Sequence, residues 1–239
     1  MLNLKKIKAV TLDLDDTLWP VWPAIERAEK ALEQWLSQHA PMTAALFANP
    51  SVRDDIRGYV VRTRPELKHN LSAVRLEAIR VALYRANENP LLAEAAFNVF
   101  FAARNQVELY SDALPALKFL ATRFPVVALS NGNADIQKIG IHPYFRASIN
   151  AQGFGVGKPD SRIFHAAAGA VDVHPNDVLH IGDDPALDVL GALNAGMQTA
   201  WLNRTVIPWM HEQTPHIVVS NLTELCDCLG SGQLEVVGN

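Results

Sequence analysis

Four short segments of this 239-residue chain gather the residue types that handle a charged group. They are Asp13-Leu14-Asp15-Asp16-Thr17, Ser130-Asn131-Gly132, Gly157-Lys158-Pro159-Asp160, and Gly182-Asp183-Asp184 with Asp188. Brought to one place, they make a site of several carboxylates, one lysine and one hydroxyl. Crowded carboxylates repel, and some stay protonated unless a cation offsets them. A hard dication with oxygen ligands is the natural solution. Magnesium fits best, because it accepts one or two carboxylates together with waters and substrate phosphate. Lys158 adds a further fixed positive charge.

The flanking residues say which elements must position these segments. Ala9-Val10-Thr11-Leu12 is a short apolar run that stops at the first acidic segment, as a buried strand would. Val126-Val127-Ala128-Leu129 ends at Ser130, and Val178-Leu179-His180-Ile181 ends at Gly182. A short strand is expected near residues 147–149, and further strands at 199–202 and 217–219. Asp112 is expected to cap a helix to about Arg123, Ser161 one to about Val171, and a helix over 185–195 to close at Gly196; a last helix spans 222–229. Alternating strands and helices predict an α/β fold with a parallel sheet, whose ligands bind outside the carboxyl ends of the strands. Between about Trp19 and Val107 the texture differs. It is rich in Ala, Leu, Glu and Arg, with Gly58 its single glycine, and Pro41, Pro50, Pro65 and Pro90 divide it into four or five helices. The expected division is a core of residues 1–17 and 108–239 and an inserted all-helical domain of residues 18–107. A lid of this kind shields chemistry from water.

Composition excludes other classes. Apolar residues make up 49% and charged residues 19%, with a net charge of −4, so a disordered chain is excluded and no basic excess points to nucleic acid or an anionic membrane. The most apolar stretch, residues 95–103, is too short to span a bilayer, which takes about 20 residues. The N-terminus lacks the apolar run of a secretory signal. Cys226 and Cys228 cannot close a zinc site or a disulfide framework, and read as small packing residues. The expectation is a cytoplasmic protein, monomeric, with a small-molecule substrate and no nucleic-acid or membrane partner.

The four segments resemble, in order, the four motifs of the haloacid dehalogenase (HAD) superfamily. Asp13, Asp15 and Thr17 match Asp-x-Asp-x-Thr; Ser130 matches the strand-ending hydroxyl; Lys158 matches the lysine; Gly182, Asp183 and Asp188 match Gly-Asp-x-x-x-x-Asp. The resemblance implies a Rossmann-like core. It implies that Asp13 is a nucleophile forming an aspartyl-phosphate, and that Asp15 is the acid for the leaving alcohol and then the base for water. Ser130 would bind a phosphoryl oxygen, Lys158 would neutralise charge, and Asn131 and Gly132 would offer amides to the phosphate or only form the turn. Magnesium would be held by Asp13, Asp183 and the Asp15 carbonyl, with Asp184 and Asp188 acting through water or positioning Lys158. Thr17 would shape the local turn, Asp16 would only form it, and His180 reads as a satisfied core histidine.

Asp15 favours phosphate monoester hydrolysis, because the dehalogenase branch lacks this second aspartate; a phosphosugar phosphatase or a phosphomutase would keep it. The helical insert after the first motif resembles the subfamily whose caps cover small phosphorylated metabolites. Leu129-Ser130-Asn131-Gly132-Asn133-Ala134, Pro143-Tyr144-Phe145, His180-Ile181-Gly182-Asp183-Asp184, Asp188-Val189 and Ala195-Gly196-Met197-Gln198-Thr199-Ala200-Trp201 resemble bacterial phosphatases of FMN and of 5-amino-6-(5-phospho-D-ribitylamino)uracil. That likeness implies a riboflavin-related substrate. Gly157 stands where some relatives have Ser, at a position that reads as tolerant. Trp19, by the first motif, is expected to stack on a flavin or pyrimidine ring or to pack in place. Arg75 is expected to reach substrate or to lie solvated on a helix face; Trp22 is a further aromatic candidate. A receiver-like domain is disfavoured by the long helical insert, and a catalytically inactive binding protein by the complete set of motif residues.

Overall fold

The computed structural model describes residues 1–231. In chain order its main elements are β1 (Ala9–Leu12), α1 (Val21–His39), α2 (Pro41–Phe47), α3 (Pro50–Thr63), α4 (Leu71–Arg85), α5 (Ala93–Arg104), α6 (Ala113–Ala121), β2 (Val126–Ser130), α7 (Ile136–Ile139), β3 (Ala147–Asn150), α8 (Ala151–Phe154), α9 (Ser161–Gly169), β4 (Val178–Gly182), a π-helical turn (Pro185–Leu190), α10 (Gly191–Asn194), β5 (Gln198–Leu202), β6 (Ile217–Val219) and α11 (Leu222–Ser231). They form two compact units. One comprises Met1–Pro20, Leu109–Gly132 and the described residues from Gly140 onward; the other comprises Val21–Glu108 and Asn133–Ile139. No described helix is long and apolar enough to cross a membrane.

The first unit is an α/β fold around one parallel six-stranded sheet, ordered β3-β2-β1-β4-β5-β6. Strands β1, β2, β4 and β5 are buried along their whole length, which is why they read as near-continuous apolar runs. The strand order reverses at β1 and β4, and the crevice at such a reversal is where ligands bind. One sheet face carries Ala9, Val127, Leu129 and Val178 and packs against Ile163, Phe164, Ala167 and Ala168 of α9. Thr11 and His180 are register partners across β1 and β4.

Several local expectations are corrected. Asp160, not Ser161, caps α9, its side chain accepting from the Arg162 N–H. Asp112 stands before α6 but makes no capping bond to it. Its Oδ2 accepts instead from the Leu222 N–H of α11 at 2.7 Å. The helix expected over 185–195 starts as a π-helical turn and continues as α10; Gly196, at φ +80°, ends it as anticipated. Cys226 and Cys228 are half-buried and form no disulfide.

The second unit is all-helical. Ala24, Ala28, Leu32 and Leu36 recur every fourth residue and form the buried stripe of α1. Part of that stripe packs with Ile79, Leu83 and Phe100, and Ile56 and Val60 of α3 pack with Val74 and Ala82 of α4. Pro41 and Pro50 open helices, where a missing N–H costs nothing, and Asn49 and Asn70 cap α3 and α4. Residues 133–139 belong here and not to the α/β unit, which the expected 18–107 boundary missed. The Asp135 N–H donates to Asn105 Oδ1 (2.7 Å), and Asn133 Nδ2 donates to Ser72 Oγ (3.2 Å).

Candidate active site

Asp13 is the first residue beyond β1. Its main-chain N–H still donates to Ile181 O (2.9 Å), so the ladder to β4 fixes where its carboxylate starts. Lys158 Nζ donates to Asp13 Oδ1 and to Asp188 Oδ1, each at 2.5 Å, and all three residues are buried. Asp188 comes back toward the strand ends from the π-helical turn. His180 Nε2 donates to its Oδ1 (3.1 Å), and the Asp184 N–H to its Oδ2 (3.0 Å). Asp184 Oδ1 accepts from Ala186 N–H and Leu187 N–H, both at 2.8 Å. Asp184 is therefore a helix cap, and its N–H steadies Asp188.

Two side chains hold the lysine and the second aspartate. Asn131 pairs with the Lys158 main chain, accepting from its N–H (2.7 Å) and donating to its carbonyl (2.9 Å). A Cβ at Gly157 would lie 2.6 Å from Asn131 Oδ1, so in this chain the position is not tolerant. Asp15 Oδ1 accepts from Trp19 Nε1 at 2.9 Å. Gly132 backs the other oxygen: a Cβ there would collide with Asp15 Oδ2. The Gly132 N–H donates to Ser130 Oγ (2.9 Å). Asp16 takes φ +58° between them, a turn conformation that Asp tolerates.

Thr17 does not bond the local turn; its Oγ1 donates to Asp183 Oδ1 (3.0 Å). Trp201 Nε1 donates to Asp183 O (2.8 Å). Arg204 in turn fixes Thr17, with Nη2 donating to Thr17 O (3.0 Å) while its fork grips Asp112 (3.0 Å on each oxygen) and its face covers the Tyr110 ring.

Asp13, Asp183 and Asp188 each offer a carboxylate oxygen within 4.8 Å of the other two. Burial and the Asp188 carboxylate push Asp183 up to about 7, against Thr17 donation. Burial also raises Asp13 well above the carboxylate range; Lys158 opposes this, and Asp188 and Asp183 reinforce it. Asp188 is lowered, because Lys158 and His180 outweigh its burial. Lys158 is raised, since the Coulomb attraction of Asp13 and Asp188 outweighs its burial. One lysine thus balances one carboxylate, and Asp188 takes that balance. Asp13 and Asp183 are left one cation short. That donor set, all oxygen and all anionic, fits a hard dication.

The structure therefore gathers Asp13, Asp15, Ser130, Asn131, Gly132, Lys158, Asp183, Asp184 and Asp188 at one edge of the sheet. Trp19 and Arg75, each expected either to meet substrate or to pack or lie solvated, both have protein partners. Trp19 is completely buried, so it has no face for a ring to stack on; its N–H serves Asp15. Arg75 lies in the helical unit, donating to Glu29 Oε1 (2.6 Å) with its guanidinium 4.3 Å from the Phe100 ring centroid. It braces α1, α4 and α5 and is not a free charge. Trp22 is exposed, and no partner role follows from that. Arg204 is a site residue that local spacing does not single out, and His180 is more than the core histidine it reads as. A charged residue two positions beyond β5 and a polar residue in mid-strand are the signals that mark them.

The family model for haloacid dehalogenase-like hydrolases matches residues 7–196. The 5-amino-6-(5-phospho-D-ribitylamino)uracil phosphatase YigB of Escherichia coli (strain K12) is 32% identical over 93% of this chain and 96% of its own length. A phosphoserine phosphatase of Thermus thermophilus is 32% identical over 92% of this chain and 98% of its own. The crystal structure of a protein named 2-haloacid dehalogenase, from Pseudomonas syringae pv. Tomato DC3000, superposes with a TM-score of 0.90 at 35% identity, covering 95% of this chain and 99% of that one. With a buried Asp13–Lys158–Asp188 cluster at the reversal of a parallel sheet, the chain belongs to the haloacid dehalogenase-like hydrolases.

Proposed function

We propose that this hydrolase is a magnesium-dependent phosphatase that cleaves a small phosphomonoester through an aspartyl-phosphate. The carrying observation is Asp15. It lies two residues past Asp13, oriented by Trp19 Nε1 and backed by Gly132. An alkoxide is a poor leaving group and needs a proton as the P–O bond breaks, whereas a halide leaves without one. A second carboxylate beside the nucleophile has a task in protonating a leaving alcohol and none in expelling a halide. This weighs against dehalogenation, the activity for which the Pseudomonas protein is named.

In this mechanism an Asp13 oxygen attacks phosphorus in line, forming an acyl phosphate as the P–O bond to the alcohol breaks. Asp15 gives its proton to the departing oxygen and then takes one from the water that attacks the acyl phosphate, releasing phosphate and restoring Asp13. Lys158 holds the Asp13 carboxylate in place and offsets phosphoryl charge, and the Ser130 hydroxyl turns its proton toward a phosphoryl oxygen while accepting from Gly132. Asp13, Asp183 and the Asp15 carbonyl would hold magnesium, which supplies positive charge against the carboxylates and the phosphoryl group.

The favoured substrate is FMN or the riboflavin-pathway precursor, 5-amino-6-(5-phospho-D-ribitylamino)uracil. The likeness of residues 129–134, 180–184, 188–189 and 195–201 to flavin-related phosphatases supports it, as does the Escherichia coli relative. A panel of these two esters, phosphoserine, a hexose phosphate and 2-chloropropionate, assayed for phosphate and halide with and without magnesium, tests the reading. Phosphate release that a chelator abolishes, and that falls at least about a hundredfold in Asp15→Asn, is expected. Halide release without phosphate release would overturn it. Isomerisation of a sugar phosphate without release would favour a mutase.

A further inference from the structure

The sheet face packed against α9 is largely apolar, with Thr199 of β5 beside His180 at one side. Ala9, Val127, Leu129, Val178, Phe164 and Ala192 line it, yet Thr11 and His180 stand side by side in its middle, both essentially without exposure. Valine and phenylalanine would fill similar space without burying polar atoms, so packing alone does not account for the pair.

Their hydrogen bonds do. Asp188 already receives Lys158 Nζ and the Asp184 N–H, and as a carboxylate it only accepts. The proton on His180 facing it must therefore be on Nε2. Thr11 Oγ1 lies 2.8 Å from Nδ1, and a hydroxyl can donate there. With a neutral His180 ring, Thr11 → His180 → Asp188 is then a directed chain. The edge of Phe164 against the His180 ring, centroids 5.1 Å apart at 87°, limits the ring's rotation. The chain ends on the oxygen that also accepts from Lys158, and Lys158 is bonded to Asp13.

We infer that Thr11 and His180 are positioning residues: Thr11 fixes the ring and tautomer of His180, whose Nε2–H holds Asp188 where it aims Lys158 at Asp13. Neither residue touches substrate. The inference rests on Asp13 as nucleophile in phosphate release, and it adds a buried support that reaches back into the middle of the sheet. Without the Nε2–H donor, Asp188 could swing with the ammonium it holds. Loosening the support of a reacting group in this way slows the step about 10–100-fold.

The test uses the full chain with magnesium and a generic aryl phosphate. His180→Leu should lower kcat about 10–100-fold with KM within about twofold, and His180→Gln, whose amide can still donate to Asp188, should recover most of it. Thr11→Val should lower kcat about 3–10-fold, and Thr11→Ser should restore it. Thermal melts confirm that each variant is folded at the assay temperature. Nitrogen NMR of the wild-type protein should show His180 neutral with its proton on Nε2. A proton on Nδ1, alone or in addition, would overturn the inference. So would folded His180→Leu and Thr11→Val proteins with wild-type kcat, or a loss that the conservative variants fail to relieve. No phosphate release by the wild-type protein would overturn the hydrolysis reading and this inference together, whereas turnover unaffected by the variants overturns this inference alone.

Discussion

Removing divalent cations should make the folded protein less stable as pH rises through neutrality, with Asp183 the principal cause. Its carboxyl is pushed up to about 7 from an ordinary 3.8 by burial and by Asp188. A folded-state pKa above the unfolded one means that the folded state binds the proton more tightly. The associated stability is complete below about pH 4 and is lost as pH rises through about 7. The difference is about 3 pH units, or about 4 kcal/mol at about 1.4 kcal/mol per unit. At about 2–4 °C per kcal/mol for a chain of this size, the midpoint would fall by up to about 8–16 °C between pH 4 and pH 8. Asp13 is raised too and acts in the same sense, whereas Asp188 is lowered and titrates below this window.

Magnesium bound to the carboxylates displaces the proton, so its stabilising effect should grow with pH. Thermal melts at pH 5, 6, 7 and 8, in chelator or in millimolar magnesium, read both effects. The gap between the two curves should widen from pH 5 to pH 8. In chelator at pH 8, Asp183→Asn should melt above the wild-type protein while having lost activity, because the near-isosteric amide keeps the Thr17 contact and removes the charge. Equal gaps at pH 5 and pH 8, or an Asp183→Asn protein with the same pH slope as wild type, would refute the reasoning.

Two substitutions test how Asp15 is held. Trp19→Phe removes the N–H that orients Asp15 and keeps most of the buried volume; kcat should fall several-fold and equally for FMN and a small aryl phosphate, and a selective rise in KM for FMN would instead show ring stacking. Gly132→Ala drives a Cβ into Asp15 Oδ2 and toward Ser130 Oγ; kcat should fall about a hundredfold in steady-state assays while circular dichroism shows the fold retained.

The sheet was legible because its central strands are buried on both faces, which leaves a near-continuous apolar run in each, broken in mid-strand by Thr11 in β1 and His180 in β4. Residues fit for chemistry were legible because a strand's carboxyl end converts such a run abruptly into Asp13, Ser130 or Asp183. What local spacing could not carry was the partner of each polar side chain. Asp112 has the position of a cap for α6, yet its oxygens are taken by Arg204 and Leu222, 92 and 110 residues away. Gly157 looked indifferent until Asn131, on another loop, filled the space beside it. Arg75 reads as reaching substrate or lying solvated on a helix face, but it pairs with Glu29, 46 positions earlier in the chain and on the facing helix. Residues 133–139 follow a strand and read as core, but their hydrogen bonds run to Asn105 and Ser72.

The charge balance of the site narrows the chemistry further than the motif residues do. Asp188 is matched by Lys158 and by two N–H donors, so its charge is stable in place. Among the described residues Asp183 accepts from neutral donors, Thr17 on its carboxylate and Trp201 on its carbonyl. In halide displacement from carbon, a second unbalanced carboxylate within 4.8 Å of the Asp13 oxygens would raise the nucleophile's pKa and slow attack. Nothing in that reaction would repay its presence. In phosphoryl transfer the incoming group brings negative charge of its own, and the site must import a cation to accept it. On that reading Asp183 would have a function that its position explains: it would give the cation a second anchor beside Asp13, so that the nucleophile could be ionised and meet an anion at the same time.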